Sequence, residues 1–261
     1  MSGIGMQPQS PEERRQFEET AVRLVELAAE GGLTLRLLGS LAFQIHCNQY
    51  GHLQEEMGRA YTDIDYAAYS DEAHLVDPFL TSLGYRGEAE INLYFAGERM
   101  IFHDPTGSFH VDVFFDKLAF CHEIDWTGRL HLDSPTIPLA ELLLEKMQIV
   151  KINEKDIIDT IMLLLEHPLG DDDSETINIA LVSQACASDW GLWRTVTMNL
   201  EKVATLSATY DELGEQEKKM VSAKVTGALE RIEEEPKTLG WKTRSLIGDR
   251  VKWYQDVEDL V

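Results

Sequence analysis

Two aspartates one residue apart, Asp63 and Asp65, lie in the otherwise apolar run YTDIDYAAY. The aromatic and β-branched residues around them are typical of a β-strand, in which residues i and i+2 face the same way. The two carboxylates would then point to one place, where they repel each other unless a cation lies between them. The alternative is a solvated strand face or a turn, because aspartate also makes local hydrogen bonds in turns.

A third aspartate, Asp112, is centred in the apolar stretch FHVDVFF. Strand alternation places His110, Asp112 and Phe114 on one face. A carboxylate in such a strand is costly unless it is paired, hydrogen-bonded or metal-bound, so a buried aspartate satisfied by a neighbour is an equal alternative. Three aspartates on two strands would suit one or two Mg²⁺ (or Mn²⁺) ions, since hard cations take oxygen ligands and paired metals hold both sides of a phosphoryl displacement.

A glycine–serine turn, Gly39–Ser40, interrupts the sequence LLGSLAF between a short strand and a helix. Glycine allows a ligand to approach the backbone closely, and the amides at a helix N-terminus form a favourable phosphate site. Strand–turn–helix connections of this composition are also common as purely structural features. The turn therefore predicts a phosphate site only in combination with the aspartates.

A basic cluster occurs in EKMQIVKINEKDIIDTIMLL, although bases are few elsewhere in the chain. Lys146, Lys151 and Lys155 are close in sequence to Asp156 and Asp159, and the two aspartates would share a helix face. Lysines can neutralise a polyphosphate, and an adjacent acid can hold a lysine in place or accept a proton. A solvated amphipathic helix with ordinary ion pairs is the alternative.

The 261-residue chain is strongly acidic, with 46 acidic and 23 basic residues and a net charge of −23. Non-specific nucleic-acid binding is therefore not expected, because it requires a basic surface. The three scattered cysteines, Cys47, Cys121 and Cys186, are typical of reduced thiols in a cytoplasmic protein. We expect neither secretion nor membrane spanning, because no apolar leader and no run of about 18 apolar residues occurs.

The hydrophobic pattern predicts an N-terminal α/β half and a helical C-terminal half. The first half would contain a helix over residues 10–31 capped by Ser10, strands at 33–38 and 61–69, a helix capped by Ser70, and a three-stranded meander over 91–115. Helices would follow to the end of the chain. We expect two of them within residues 137–167 and four near 174–188, 191–206, 211–234 and 240–258.

Taken in order, Gly39–Ser40, Asp63–Ile64–Asp65 and Asp112 within HVDVF resemble the signature of the polymerase-beta-like nucleotidyltransferase superfamily. The segment from Lys146 to the K-D-x-x-D sequence at 155–159, with an arginine before the D-x-D, further resembles the AbiEii-like branch, which includes type IV toxin nucleotidyltransferases. The resemblance covers about residues 33–167. The chain departs from it in the long insert HCNQYGHLQEEMG and in the spacing of that arginine.

The resemblance implies an α+β fold. A small mixed β-sheet nucleotidyltransferase core with flanking helices would occupy residues 1–136, and an α-helical domain would occupy 137–261. The first two helices of that domain, 137–167, would complete the active site. The implied activity is Mg²⁺-dependent transfer of a nucleoside monophosphate from a nucleoside triphosphate to an acceptor (RNA, protein or small molecule), with release of pyrophosphate.

The resemblance also implies a role for each site residue. The metal ligands would be Asp63, Asp65 and Asp112, of which Asp112 would also activate the acceptor hydroxyl. The residues that bind the nucleotide would be Gly39, Ser40, Arg59, Lys146 and Lys151. Asp156 would position Lys146 or the acceptor. His103, His110 and His122 lie in the same part of the sequence, but core or hairpin roles are expected for them.

Two other functions fit the same residues. A catalytically silent protein of this fold could bind a partner such as an antitoxin, and strong acidity suits docking to a basic protein. A degenerate member should lack a metal ligand, however, whereas all three aspartates are present here, which favours an enzyme. A small-molecule nucleotidyltransferase would share the chemistry, and an acidic surface suits a cationic aminoglycoside acceptor.

Overall fold

A computed structural model describes residues 10–56 and 61–257. The chain divides into two compact units, one formed by residues up to Lys117 together with Asp125–Ile137, the other by Leu118–Ile124 and the residues from Pro138 onward. The first unit contains a small mixed sheet with flanking helices, and the second is mainly helical. The expected α+β class is confirmed.

The first unit is organised around a five-stranded sheet. Its strands are β1 (Arg36–Leu38), β2 (Asp63–Ala68), β3 (Arg86–Gly87), β4 (Arg99–His103) and β5 (His110–Phe115). Their order in the sheet is β1-β2-β5-β4-β3. The central pair, β2 and β5, is parallel, while β1–β2, β4–β5 and β3–β4 are antiparallel. Both predicted aspartate-bearing strands therefore lie side by side in the middle of the sheet.

Five helices accompany this sheet within residues 10–56 and 61–137. They are α1 (Pro11–Glu30), α2 (Gly39–His46), α3 (His52–Glu56), α4 (Ala73–Ser82) and α5 (Ala89–Tyr94). The first helix begins as predicted, because Ser10 and Glu13 form a reciprocal capping box in which each side chain accepts a hydrogen bond from the backbone N–H of the other.

Helix α1 covers one face of the sheet. The hydroxyl of Tyr66, a fully buried residue of β2, donates a hydrogen bond to the carbonyl of Ala21 in α1 (2.8 Å). Because side chains alternate along a strand, Asp63 and Asp65 project from the face opposite Tyr66. The carboxylates thus point away from the helix that closes the core.

Two predictions for the first unit are wrong. Residues 91–94 form part of helix α5 instead of a strand, because the Asn92 side chain hydrogen-bonds both main-chain groups of Ile101 in β4 (2.7 and 3.2 Å) and so takes the place of a neighbouring strand. Ser70 does not cap α4, which begins at Ala73 after a short 3₁₀ turn. The Ser70 backbone N–H donates to Asp116 Oδ1 instead (3.0 Å).

The second unit is a helical bundle. A hairpin, β6 (Lys117–Ala119) and β7 (Glu123–Asp125), precedes the helices α6 (Leu139–Met147), α7 (Glu154–Glu166), α8 (Ile179–Ser188), α9 (Trp190–Ser207), α10 (Glu215–Glu234) and α11 (Leu239–Ser245). Between α7 and α8 lie two very short strands, β8 (Leu169–Gly170) and β9 (Ile177–Asn178). Helix α10 packs against α8 and α9.

Two features of this bundle concern the predictions made from the sequence. Every residue of α6 is buried, as expected of a helix surrounded by other elements, and its charged residues therefore need partners inside the unit. The helix predicted near 240–258 is wrong beyond Ser245: a 3₁₀ turn, Gly248–Arg250, follows α11, and residues 251–257 are not helical.

Replacing Tyr66 by phenylalanine tests the contact between α1 and β2. Tyr66→Phe should lower the free energy of unfolding by about 1 kcal/mol, because a buried hydrogen bond is lost while the ring is retained. Tyr94→Phe is the matched control, since Tyr94 is 82% exposed and should unfold at the native denaturant concentration. Urea unfolding of the three proteins measures both; equal midpoints would mean that the Tyr66–Ala21 bond contributes nothing.

Candidate functional site

The three predicted aspartates lie on one face of the sheet in the first unit. In the parallel β2–β5 pair, Asp63 is opposite His110 and Asp65 is directly opposite Asp112. Adjacent strands are about 4.8 Å apart, so the carboxylates of Asp65 and Asp112 start from neighbouring backbone positions. Asp112 is buried, whereas Asp63 and Asp65 are half-buried. The sheet face therefore carries one buried carboxylate and two that are partly accessible to solvent.

The glycine–serine turn lies against this carboxylate group. Helix α2 begins at Gly39, immediately after Leu38, which is paired with Asp65 across β1–β2. Gly39 has φ +71°, and a Cβ there would lie 2.5 Å from Asp65 Oδ2. Only glycine allows both this backbone conformation and this approach. The N-terminal turn of α2 and one aspartate are therefore in direct contact, as a site for a metal-bound phosphate would need.

The long insert, which departs from the family resemblance, supports this turn. The Gln54 side chain, from α3 within the insert, donates a hydrogen bond to the carbonyl oxygen of Ser40 (3.2 Å) and accepts one from the Tyr61 hydroxyl (2.8 Å). Gln54 is almost completely buried. Sequence reasoning missed this role, because glutamine is usually exposed and nothing around it marks a buried position.

The partner of Asp112 was also missed. Arg99 in β4 donates two hydrogen bonds to its carboxylate, from Nε to Oδ1 (3.1 Å) and from Nη2 to Oδ2 (2.8 Å). The guanidinium lies 5.0 Å from the centre of the Phe114 ring, and His110 Nε2 is 3.7 Å from Asp112 Oδ2. The rule that a buried carboxylate must be paired predicts some partner. Its identity depends on the β4–β5 register, which a single sequence does not contain.

This pairing bears on whether the aspartates fit a metal ion. Within residues 10–56 and 61–257, no group of three or more histidine, cysteine, aspartate or glutamate side chains has the arrangement of a metal site. Both oxygens of Asp112 accept hydrogen bonds from Arg99. Asp63 and Asp65 have the oxygen donors that Mg²⁺ prefers. A cation at the β2 pair would share the Asp112 carboxylate with Arg99, because a carboxylate oxygen can accept a hydrogen bond and ligate a metal at the same time.

A second charged group lies within the second unit. Lys146 in α6 has only 9% of its side chain exposed, and its ammonium group lies near three carboxylates. The Nζ–oxygen distances are 3.0 Å to Glu145, 3.6 Å to Asp156 and 3.5 Å to Asp159. Asp156 and Asp159 share a face of α7, as predicted, and that face meets Lys146. Glu145 was not among the predicted residues.

Helix α7 positions Asp156 at its own N-terminus. Asn153 caps the helix by accepting a hydrogen bond from the Asp156 backbone N–H (3.1 Å), while Asp156 Oδ2 accepts one from the Asn153 backbone N–H (3.4 Å). This capping box holds the Asp156 carboxylate in one orientation. A carboxylate held in this way can fix the position of a neighbouring lysine.

Lys151 and Lys155 are both exposed. Lys151 lines a cavity of about 700 Å³ in the second unit, together with Lys146 and Asp156. The three lysines of the predicted cluster therefore differ in environment: Lys146 is buried among acids, and the other two are at the surface.

The remaining predicted residues have other positions. Arg59 lies outside the described residues. His103 is paired with Glu88 (2.6 Å), and His122 is hydrogen-bonded to the hydroxyl of Thr195 (2.8 Å). Burial lowers the pKa of His122. His122 thus has a buried structural partner in the second unit.

Comparisons with known proteins leave the side-chain geometry as the main basis for assigning a function. The chain matches no protein-family model, and no curated protein matches it in sequence. Among the helices of residues 10–56 and 61–257, none has the length and apolar character needed to cross a membrane.

The contact between Gly39 and Asp65 can be tested by adding one methyl group. Gly39→Ala should destabilise the protein by more than Gly32→Ala, which serves as the control. Both glycines have positive φ, at which a side chain costs about 1–2 kcal/mol. A Cβ at Gly32 has nothing within 4 Å, whereas one at Gly39 collides with Asp65. Equal losses in urea unfolding would show that the close approach is not a constraint.

The Arg99–Asp112 pair should be important for stability. Arg99→Leu should cost about 3 kcal/mol, because it leaves a buried carboxylate without its counter-charge. The double variant Arg99→Leu/Asp112→Leu should recover most of that loss. Arg231→Leu is the control: Arg231 pairs with Asp171 at the surface, where an ion pair contributes about 1 kcal/mol or less. A double-mutant cycle in urea measures the coupling, and a coupling near zero would mean that Arg99 does not stabilise the buried carboxylate.

Proposed function

We propose that this chain is a Mg²⁺-dependent nucleotidyltransferase that moves a nucleoside monophosphate from a nucleoside triphosphate to an acceptor hydroxyl and releases pyrophosphate. One observation carries the proposal: Asp63, Asp65 and Asp112 share one sheet face, and Asp65 lies against the Gly39 turn at the start of α2. Carboxylates beside a phosphate-type turn are what phosphoryl transfer needs, since its catalysis is mostly positioning and charge stabilisation.

In this proposal Asp63 and Asp65 hold the metal. Mg²⁺ would bind the triphosphate and offset the charge that develops during transfer. The backbone amides at Gly39–Ser40 donate hydrogen bonds to the phosphates. Gln54 fixes the Ser40 carbonyl and thereby the peptide plane that carries the Leu41 amide, the next amide of the same turn. The β2 strand and the α2 turn together supply both ligand types from rigid elements.

Asp112 has the role of the third acid, and Arg99 positions it. The bidentate pair fixes the plane of the carboxylate, which is the geometry that favours arginine over lysine at such positions. Each Asp112 oxygen accepts one hydrogen bond from Arg99 and keeps a second lone pair that can accept the proton of an acceptor hydroxyl. Arg99 is thus proposed as a positioning residue that the sequence pattern did not reveal.

Within the second unit, the proposal keeps Lys146 and Lys151 as the bases that would contact phosphate, and Asp156 as the residue that would position Lys146. The contacts of Lys146 with Glu145, Asp156 and Asp159 support this role, because they fix the ammonium group of a long, flexible side chain. The acceptor remains open between RNA, a protein and a small molecule.

A second candidate function is also supported by a specific observation. Arg99 supplies at Asp112 the positive charge that a metal would otherwise supply, and the described residues contain no three-ligand group. A catalytically silent protein of this fold, acting by binding a protein partner, would show the same features. Nucleotide binding separates the two candidates.

The proposal predicts metal-dependent nucleotide binding at the β2 aspartates. ATP, CTP, GTP and UTP, each with and without Mg²⁺, are added to the native chain and to Asp63→Asn/Asp65→Asn in a thermal-shift experiment. At least one nucleotide should raise the native midpoint only with Mg²⁺, because ligands that bind the folded state stabilise it by mass action. The double variant should lose that shift. Asp71→Asn/Asp77→Asn, two acids of the same unit outside strand β2, should keep it.

Two outcomes would contradict the proposal. A chain that shows no Mg²⁺-dependent shift with any nucleotide would favour the silent, partner-binding alternative. A shift that survives in Asp63→Asn/Asp65→Asn would place the nucleotide elsewhere. Once the nucleotide is known, Asp112→Asn should abolish pyrophosphate release while retaining nucleotide binding, which separates the role of Asp112 from that of the β2 pair.

A further inference from the structure

Residues 237–252 reverse the charge of the rest of the chain. This segment has five lysines and arginines and a single acid, Asp249, whereas the other residues include 18 bases and 45 acids. It contains α11 and the 3₁₀ turn Gly248–Arg250, and all of it belongs to the second unit. A positive segment in so acidic a protein provides a local attraction for an anionic partner.

Four bases of this segment form no ion pair with a carboxylate of residues 10–56 or 61–257. They are Lys237, Lys242, Arg244 and Arg250. Asp249, the one acid of the segment, is itself paired with Arg194 of α9 (3.3 Å). Lys237 and Arg244 donate to main-chain carbonyls, whereas the side chains of the other two bases are exposed. Lys242 and Arg250 are therefore available to an anionic partner.

The inner face of α11 fixes the helix to the second unit. The Trp241 ring packs edge-on against Trp193 of α9, with 5.1 Å between ring centres. The guanidinium of Arg244 lies 4.6 Å from the centre of the Trp190 ring, and it donates hydrogen bonds to two main-chain carbonyls of the following turn (2.8 Å each). These contacts determine which side of α11 faces solvent.

The outer face of α11 carries leucines, although the outer face of a surface helix is usually polar. Leu239 and Leu246 are seven residues apart, so they lie on the same side of the helix as Lys242. Leu239 is 83% exposed and Leu246 81%, and the exposed Ile247 and Val251 follow in the chain. A group of exposed aliphatic side chains is typical of an interaction site. We name Leu239, Lys242, Leu246, Ile247, Arg250 and Val251 the α11 face.

We propose that the α11 face is a docking surface for an acidic amphipathic segment of a partner protein. The leucines would contact apolar residues spaced three or four apart on the partner, while Lys242 and Arg250 would pair with aspartates or glutamates beside them. The charge of the segment determines the choice of occupant, because unpaired bases next to exposed leucines match a surface that is both acidic and apolar. The proposal does not depend on nucleotide chemistry.

Other occupants fit the α11 face less well. In a two-fold antiparallel pairing of α11 with a second copy, the Lys242 residues of the two copies would face each other in the middle of the contact. An anionic lipid surface would attract the bases but repel the 45 acidic residues outside the segment. Single-stranded nucleic acid stacks its bases on aromatic rings, whereas the exposed side chains here are aliphatic.

Selection from a phage-displayed library of random peptides, with the native chain as the target, tests the α11 face. The enriched peptides should combine aspartate or glutamate with leucine, isoleucine or phenylalanine at a spacing of three or four residues. In fluorescence anisotropy, Leu246→Ser should bind the most enriched peptide roughly tenfold more weakly, because it removes a central aliphatic contact. Lys242→Glu should weaken binding by a similar factor at low ionic strength and by less at high salt.

Two variants of the same unit are the matched controls. Leu206→Ser changes an exposed leucine of α9, and Lys219→Glu reverses an exposed base of α10. Both should keep the native affinity for the peptide. All four variants should unfold near the native urea midpoint, because substitutions of exposed side chains seldom change stability much. A loss of affinity at Leu246 is then a loss of contact and not of folding.

Four results would overturn the proposal. The first is enrichment of peptides without acids, and the second is equal affinity of the native chain and Leu246→Ser for the enriched peptide. The third is a dimer in analytical ultracentrifugation that Leu246→Ser abolishes, which would assign the face to a second copy. The fourth is co-sedimentation with vesicles of phosphatidylcholine and phosphatidylserine that Leu246→Ser abolishes, which would assign it to lipid. None of these measurements involves Mg²⁺ or a nucleotide, so their outcome is independent of the proposed function.

Discussion

The parallel pairing of β2 with β5 is the constraint on which the candidate site depends. Its register puts Asp65 directly beside Asp112, so the fold itself brings two like charges together. Such an arrangement requires positive charge nearby. Arg99 supplies it from the neighbouring antiparallel strand, at the cost of occupying both oxygens of Asp112. Arg99 and any cation that binds this face would therefore compete to neutralise the same carboxylates.

The second unit also contains a buried charge, in this case a positive one, that needs a counter-charge. Lys146 is on a helix with no exposed residue, and burying an ammonium group requires acids around it. Three carboxylates, one from α6 and two from α7, meet this need. Two of the three come from the K-D-x-x-D segment, so the same residues that suggest chemistry also make the burial possible. Functional and structural explanations are not exclusive here.

Much of this arrangement could be predicted from the sequence, for identifiable reasons. Strand alternation was enough to place Asp63 and Asp65 on one face, and capping chemistry was enough to locate the start of α1. Tertiary partners could not be predicted: Arg99 and Gln54 act through the strand register and through an insert with no periodic pattern. Residues 91–94 show the limit of predicting secondary structure from hydrophobic periodicity, since their alternating pattern predicted a strand and the structure has a helix there.

The same helix has a consequence for how the sheet ends. A strand at the border of a sheet normally exposes main-chain groups that can pair with a strand of another molecule. The border strand β3 covers only two residues of β4, and beyond it the main chain of Ile101 is occupied by the side chain of Asn92 and by the backbone N–H of Glu88. The Asn92 side chain thus blocks strand pairing at Ile101. The sheet can therefore contain apolar central strands without offering the main chain of Ile101 as a template for aggregation.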